Sequence, residues 1–545
     1  MFAASLLGAL GSVLLAQQDP QPALLGAELH LQNGDVHTGT NELWRGTLSA
    51  RYGRIDRTST SHDGAVTIDL AGAFVMPGLQ DAHGHLLGLG SSLCEVNLVG
   101  TRSFAEVVDK TKQAAAKLPK GTWVLGRGWD QEDWAEKAMP HHRQLSAAIP
   151  DHPVWLVRID GHAGLANELV LRGAGIEKGA QSASGGEILF DGDGQPTGVL
   201  VDEAMNAVPR PALAADQLRE RLLAAHAECL RHGLTCVHDA GVGKDVLEQM
   251  VALHKAGLWH LRTYVMLAPT ERELIERGPW QTADGLIVVR AVKAYSDGAL
   301  GSRGASLLEP YADRAGHRGL VCMPKGAVLQ IAQHCADHGM QLCVHAIGDA
   351  ANHAVLDAYA AVKVDDSFAA RRFRIEHAQV IAAADFERFH QLGVLPAMQP
   401  THLTSDMPWA PERLGPERVL RAYAWRTFHR LGVVVPFGSD FPVESVDPRK
   451  GLFAAVTTRG EHGGPPAGYR PDQKLSREQA LRGFTLHAAH AMFAEGKLGT
   501  IELGKLADFT VFDRSLLTCD EAELLQAKVL LTVVAGRVVF DGRQK

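Results

Sequence analysis

Four stretches of the chain share one hydrophobic pattern: a helical segment ends at a glycine, and a short apolar run follows that carries a polar residue at its far end. They are CLRHGLTCVHDAG (229–241), CADHGMQLCVHAIGD (335–349), FHQLGVLPAMQP (389–400) and FHRLGVVVPFGSD (428–440). Gly233, Gly339, Gly393 and Gly432 stand where a helix C-terminus calls for a left-handed residue. The apolar runs are rich in Val and Leu and do not alternate, as in strands buried on both faces. Successive helix–glycine–strand units predict parallel strands joined by crossovers. AFVMPGLQD (73–81), HLRTYVML (260–267), IVVRAVKAYSD (287–297) and FRIEHA (373–378) read as further strands. The set is then eight, near 75–81, 235–239, 262–267, 287–295, 341–346, 373–377, 394–399 and 433–439.

Eight such strands predict an α/β fold closed as a (β/α)8 TIM-like barrel, with active residues at the C-terminal strand ends. An open doubly wound sheet is the alternative. It would need a phosphate-binding Gly-rich turn after the first strand, and GLGSS (88–92) is a poor one. Residues 92–232 are far too many for an ordinary connection and predict a subdomain inserted after strand one. Short alternating strands with Gly turns at 25–74 and 498–545 predict a small β-sandwich built from both chain ends, around a barrel unit of 75–497. Ser476 followed by Gln479 reads as the capping-box start of a helix between them.

Residues 1–16 form an apolar run too short to span a bilayer, which takes ~20 residues. They fit a signal peptide cut after Ala16, and so export to a periplasm or the medium, although the start carries no Lys or Arg. Without cleavage the expectation is a cytoplasmic protein. At 46% hydrophobic and 21% charged residues, the composition is that of a globular protein. A net charge of -8 without any Lys/Arg block argues against a nucleic-acid surface or a polybasic anchor, and the short N-terminal run argues against a stable membrane span. The seven cysteines form no CxxC pair and read as thiols rather than disulfides.

The candidate chemistry lies where the pattern places strand ends. His83 and His85 are two apart in LQDAHGH, so one strand face can aim both imidazoles at a single ion. Lys293 in VKAYSDG, His345 in CVHAIGD, His377 in RIEHAQ and Asp440 in FGSDFP close the fourth, fifth, sixth and eighth strands. A single strand-end histidine is more often a hydrogen-bonded core or surface residue than a ligand. Lys293 alone would be an ion-paired lysine, and Asp440 alone a turn residue. Together the six offer the donor set of a hydrolytic metal centre. Trp129, Arg158, His162 and Arg303, in the insert and the loop after strand four, are candidates for substrate contact, with insert packing as the equal alternative. Asp349 and Glu376 are candidates for orienting the neighbouring histidines.

HxH on strand one, Lys on four, His on five and six and Asp on eight resembles the amidohydrolase superfamily. VKAYSDGALGSRGA, HAIGDAANHAVLD and GTIELGKLADFTVFD, with GRGWD (126–130) and PVWLVRIDGHAGLAN (153–167) in the insert, resemble its N-substituted formamide deformylase subgroup. The resemblance implies two divalent ions, with zinc expected. His83, His85 and Asp440 would hold one, His345 and His377 the other, and Lys293, carboxylated by carbon dioxide, would bridge them. It implies hydrolysis of a non-peptide C–N bond of an amide or formamide by a metal-bridging hydroxide. Asp440 would be the proton shuttle, and His377 or a neighbouring donor would stabilise the oxyanion. The partner is then a small-molecule substrate, with a homodimer left open. Deamination, imide-ring opening, dipeptide cleavage or an inactive scaffold are the alternatives.

Overall fold

The structure, a computed structural model, describes residues 28–40, 42–56, 64–182, 185–324, 326–364 and 367–543. The segment read as a signal peptide lies outside them. No described helix is long and apolar enough to cross a membrane.

Seven parallel strands follow one another in chain order around the barrel: Leu79–Gly84, Leu234–Val242, Arg262–Leu267, Ile287–Tyr295, Gln341–Ala346, Arg374–His377 and Leu395–Ala397. Nearly every residue in them is buried, which is why the sequence shows apolar runs without alternation. The glycines before them do what the pattern requires, with φ of 85° at Gly233, 69° at Gly339, 66° at Gly393 and 73° at Gly432.

The eighth position departs from expectation. Residues 433–440 carry one isolated parallel bridge, Met398 to Phe437, rather than a regular strand. The segment still closes the ring. Met398 is bonded to two of its residues, donating from N to Pro436 O at 3.0 Å and accepting at O from Gly438 N at 3.1 Å. On its other edge Ala82 N reaches Phe437 O at 2.9 Å and Asp440 N reaches His83 O at 2.7 Å. Pro436 has no N–H to donate, and Asp440 has a left-handed φ of 62°, so a regular ladder cannot run through.

The insert forms a six-stranded sheet ordered 186–190, 196–202, 163–166, 154–158, 124–129 and 96–97. One face packs around Trp129, Leu145, Leu156 and Val199, the other around Trp155, Leu171 and Leu200. Helix Ala215–Arg231, within the stretch read as insert, buries Leu218, Leu222, Ala225 and Cys229 in the barrel core. The two chain ends meet in one eight-stranded sheet, joined where Phe74–Pro77 runs antiparallel to Phe509–Phe512. It has its own core of Leu31, Val36, Val75, Val511 and Val533. Ser476 and Gln479 make the expected capping box. The described cysteines are all unbridged.

Candidate metal centre

The barrel's C-terminal rim brings most of the predicted donors to one place. The Nε2 atoms of His83 and His85 lie 3.5 Å and 3.0 Å from Asp440 Oδ1, and Lys293 Nζ lies 3.3 Å from His83 Nε2. The His345 and His377 rings pack edge to face at 4.5 Å between centroids, and those of His83 and His377 are 4.9 Å apart. Lys293 and His345 are almost fully buried, and His83 fully so.

Two overlapping groups of potential ligand atoms result, His83–His85–Asp440 and His377–His402–Asp440, each with its atoms within 4.8 Å of one another. His402 is absent from the sequence reading, because it stands in the helix Pro400–Asp406, past the seventh strand rather than at its end. A signal existed: strand seven was one of the few without a donor, and PTH (400–402) follows it directly. His345 is in neither group. Its Nε2 lies 3.5 Å from Gly298 O and 3.6 Å from Asp297 Oδ1, although its ring still faces the centre.

Hydrogen bonds on the far side of each ring fix which nitrogen points inward. His85 Nδ1 lies 3.0 Å from the Ala240 carbonyl. His83 Nδ1 contacts Glu376 Oε2. His377 Nδ1 lies 2.8 Å from Gln399 Oε1, whose amide is turned that way because its Nε2 donates to Ala397 O at 3.1 Å. Carbonyl and carboxylate oxygens only accept, so each neutral ring must donate from Nδ1 and present a lone pair at Nε2. Burial, with Lys293 nearby, pushes His83 down to about 4, and burial pushes His377 well below its usual value. These imidazole lone pairs face a carboxylate that is itself acceptor-only, and the buried Asp440 Oδ1 has no hydrogen-bond partner. The neutral His83 Nε2 facing Asp440 Oδ1 at 3.5 Å sets acceptor against acceptor, repulsive unless a cation lies between, so the residues fit a divalent metal.

The support behind the rings is also built in. Glu376 is clamped by Arg374, at 2.8 Å from Nε and 2.9 Å from Nη2. Burial alone would raise this carboxyl, but Arg374 and His83 outweigh it and hold Glu376 at about 2. Asp81 ties strand one to the closing segment, accepting from His83 N (3.0 Å), Ser439 N (3.1 Å) and Ser439 Oγ (2.6 Å). Gly438 lies so close to strand one that a Cβ there would sit 2.5 Å from His83 N. His377 and Asp440 both hold left-handed backbones, with φ of 73° and 62°, a strain of about 1–3 kcal/mol each that the surrounding bonds must offset. Asp349 does not orient a histidine. It accepts from Leu308 N at 2.9 Å, and Asp297 takes the place beside His345.

Two cavities open on the centre. The larger, about 950 Å³, is lined by His85, Lys293, Tyr295, Arg127 and the 202–213 segment of the insert. The smaller, about 320 Å³, is lined by Arg158, Trp409, His402, Asp406 and Glu444. His162, His345, His377 and Asp440 face both. Of the four substrate candidates, His162 lines both cavities, its Nδ1 2.6 Å from Asp202 Oδ1, and Arg158 lines the smaller. Arg158 is buried and forked between Asp130 and Asp160, each at 2.5 Å. Trp129 and Arg303 line neither. Trp129 is fully buried in the insert core with Nε1 bonded to Leu156 O at 2.8 Å, and Arg303 turns away to Asp313 at 2.8 Å. Trp123 and Trp155 likewise pack inside the insert.

The family model described as "Amidohydrolase family" matches residues 66–540. The putative amidohydrolase YtcJ of Bacillus subtilis (strain 168) is 32% identical, over 87% of this chain and 90% of its own. The N-substituted formamide deformylase of Arthrobacter pascens is 27% identical, over 88% and 90%. Among solved structures, a metal-dependent hydrolase of Pyrococcus horikoshii OT3 superposes with a TM-score of 0.74 at 27% identity, covering 91% of this chain and 99% of that one.

Proposed function

Because the chain belongs to the amidohydrolase family, metal-dependent hydrolases acting on C–N bonds, we propose that its substrate is a small molecule cleaved at a non-peptide amide or formamide bond. The observation that carries this reading is the buried, donorless Asp440 Oδ1 with His85 Nε2 at 3.0 Å and His83 Nε2 at 3.5 Å from it. His83, His85 and Asp440 would hold one ion, and His377, His345 and Lys293 a second, with zinc the natural choice for imidazole and carboxylate donors. Lys293 is buried, and among the described residues its amine has no carboxylate within ion-pair distance. Carboxylation would turn that amine into an anion suited to lie between two cations. Divalent ions bound here would supply an acidified water and a Lewis acid for the carbonyl.

The chain's own residues do the rest. Asp440 lies between the two ligand groups, so its carboxylate can take the proton released during attack and return it to the departing nitrogen. Glu376 holds the His83 ring in the tautomer that exposes Nε2, and Arg374 holds Glu376. His377 serves as a ligand rather than an oxyanion donor, because its proton is engaged by Gln399. The donor role falls to His402, which sits 3.5 Å from Asp440 Oδ2 and 3.3 Å from Glu444 Oε1, two carboxylates that favour its protonated form. Metal analysis of protein purified without chelator tests the reading. We expect about two ions per chain, and chelation should abolish turnover of N-formyl and N-acyl amines. Metal at background level, or turnover indifferent to chelation, would sink it.

A further inference from the structure

The charges lining the larger cavity are mostly paired. Glu95 receives Arg221 at 2.9 Å, Asp160 receives Arg158 at 2.5 Å, and Asp202 receives His162 at 2.6 Å. Besides Lys293 at the centre, Arg127, in the GRGWD motif of the insert, is an exception. Its Nη2 donates to the Ile159 carbonyl at 2.8 Å, its Nε is buried with no partner, and no described carboxylate comes within 4 Å of it. The guanidinium lies against Gly161, where φ is 79° and where a Cβ would sit 3.2 Å from Nη2, so the backbone makes room for it. It shares its cavity with His85, Lys293, His345 and Asp440. Arg210, exposed at the rim of the same cavity, adds a second positive charge.

A guanidinium kept in a cavity wall without a counter-ion is a poor structural element, since burial penalises its charge and nothing nearby compensates at contact distance. The same fork is matched to a carboxylate, which it can grip through two parallel hydrogen bonds. We infer that Arg127 is a recognition residue for a carboxylate carried by the substrate. On the amidohydrolase reading above, from which this follows, the preferred substrates are amides whose nitrogen side or acyl side bears a compact carboxylate. The cavity volume of about 950 Å³ leaves room for such a group beside the centre. Other acids act on Arg127 only at longer range, Asp160, Asp440 and Glu95 among them. They lower the cost of keeping the charge in the cavity wall without engaging its donors directly.

The test uses the protein as purified, with matched probes that differ only in charge. Benzoate and benzamide are compared by calorimetry, and N-benzoylglycine and N-benzoylglycinamide by hydrolysis, in wild type, Arg127→Lys and Arg127→Met. Wild type should favour each carboxylate by roughly tenfold to a hundredfold, the range of a hydrogen-bonded charge pair. In Arg127→Met the ratio of carboxylate to carboxamide should collapse towards one, and Arg127→Lys should keep part of it. A wild type that binds benzoate and benzamide alike overturns the assignment without any variant being needed. So does an Arg127→Met protein that keeps the full ratio, which would place the carboxylate elsewhere, including on the metal. Benzoate preference that depends on Arg127, in a protein that hydrolyses no amide, would support this inference and sink only the proposed function. Amide hydrolysis without charge preference would do the reverse.

Discussion

The barrel rim and the insert wall face each other across the same cavities, and they treat polar atoms in opposite ways. On the rim, His85 and His377 are hydrogen-bonded on the outer nitrogen, His83 on its outer nitrogen and, at 3.3 Å, to Lys293 on the inner one, and Asp440 Oδ1 has no donor. On the insert, Arg158 is shared by Asp130, Asp160 and Gln131, and His162 is held by Asp202. Buried polar atoms without partners are costly, so a fold keeps them only where something else completes them. The difference teaches how to separate chemistry from scaffold in this molecule. Around these cavities, the unsatisfied rim atoms are the ones an ion or substrate could complete, and most of the insert's charged groups satisfy one another. Arg127, with its Nε unpartnered, and Asp202, with its Oδ2 unpartnered, are described insert residues of the larger cavity that share this trait with the rim.

The sharpest break in this comparison is Asp440→Asn. Removing the shuttle while keeping the shape should cut turnover by about 10³–10⁴-fold, with much of the metal retained by elemental analysis. Turnover within tenfold of wild type would remove Asp440 from the proton path.

Glu376→Gln attacks the support behind the rim. It leaves Arg374 buried and unpaired, which should cost about 3–5 kcal/mol of stability in denaturant unfolding. It should also weaken metal binding by about 10–100-fold. The pH dependence has a definite sign. Glu376 has a folded value of about 2, below its ordinary 4.5, so its contribution is complete above about pH 4.5 and is lost as pH falls towards 2. Acid unfolding followed by circular dichroism should show that window in wild type and a flatter one in Glu376→Gln. Identical acid limbs would mean the Arg374–Glu376 pair carries no such linkage.

How much of this could be read from the chain follows the same division. The strand-end donors were legible because each follows an apolar run and a helix-ending glycine, a pattern local in sequence. His402 was not, because it is held at the centre by a helix start rather than a strand end. The eighth barrel position was legible as an apolar run, but Pro436 and the left-handed Asp440 make its irregularity a matter of three-dimensional closure. Trp129 and Arg158 were legible only as large residues in an insert. Whether such a side chain faces a cavity or its own core depends on pairing across a six-stranded sheet that no local pattern encodes. Arg127 lay inside a quoted motif without a role, since the lack of a partner is visible only in space.

Asp160→Asn tests the wall. It withdraws one of the carboxylates that share Arg158, so stability should fall by about 2–3 kcal/mol, while metal content holds and the carboxylate-to-carboxamide ratio set by Arg127, relieved of the Asp160 charge, holds or rises. A loss of bound metal with little change in unfolding midpoint would put Asp160 with the rim and blur the division.

Trp129→Phe should have the smallest effect, and it separates wall from chemistry most cleanly. The indole is fully buried in the insert core beside Trp134, and its Nε1 donates to Leu156 O at 2.8 Å. Phenylalanine keeps an aromatic ring there but leaves that carbonyl without its donor, a cost of about 1 kcal/mol. In a chain this long the corresponding drop in Tm is about 2 °C or less. Because Trp129 lines neither cavity, kcat/KM for charged and neutral amides should fall together or not at all. A change in the ratio between them would mean that the insert core, and not only its cavity-facing charges, reads the substrate, and the two-region picture would have to be redrawn with Trp129 on the reactive side.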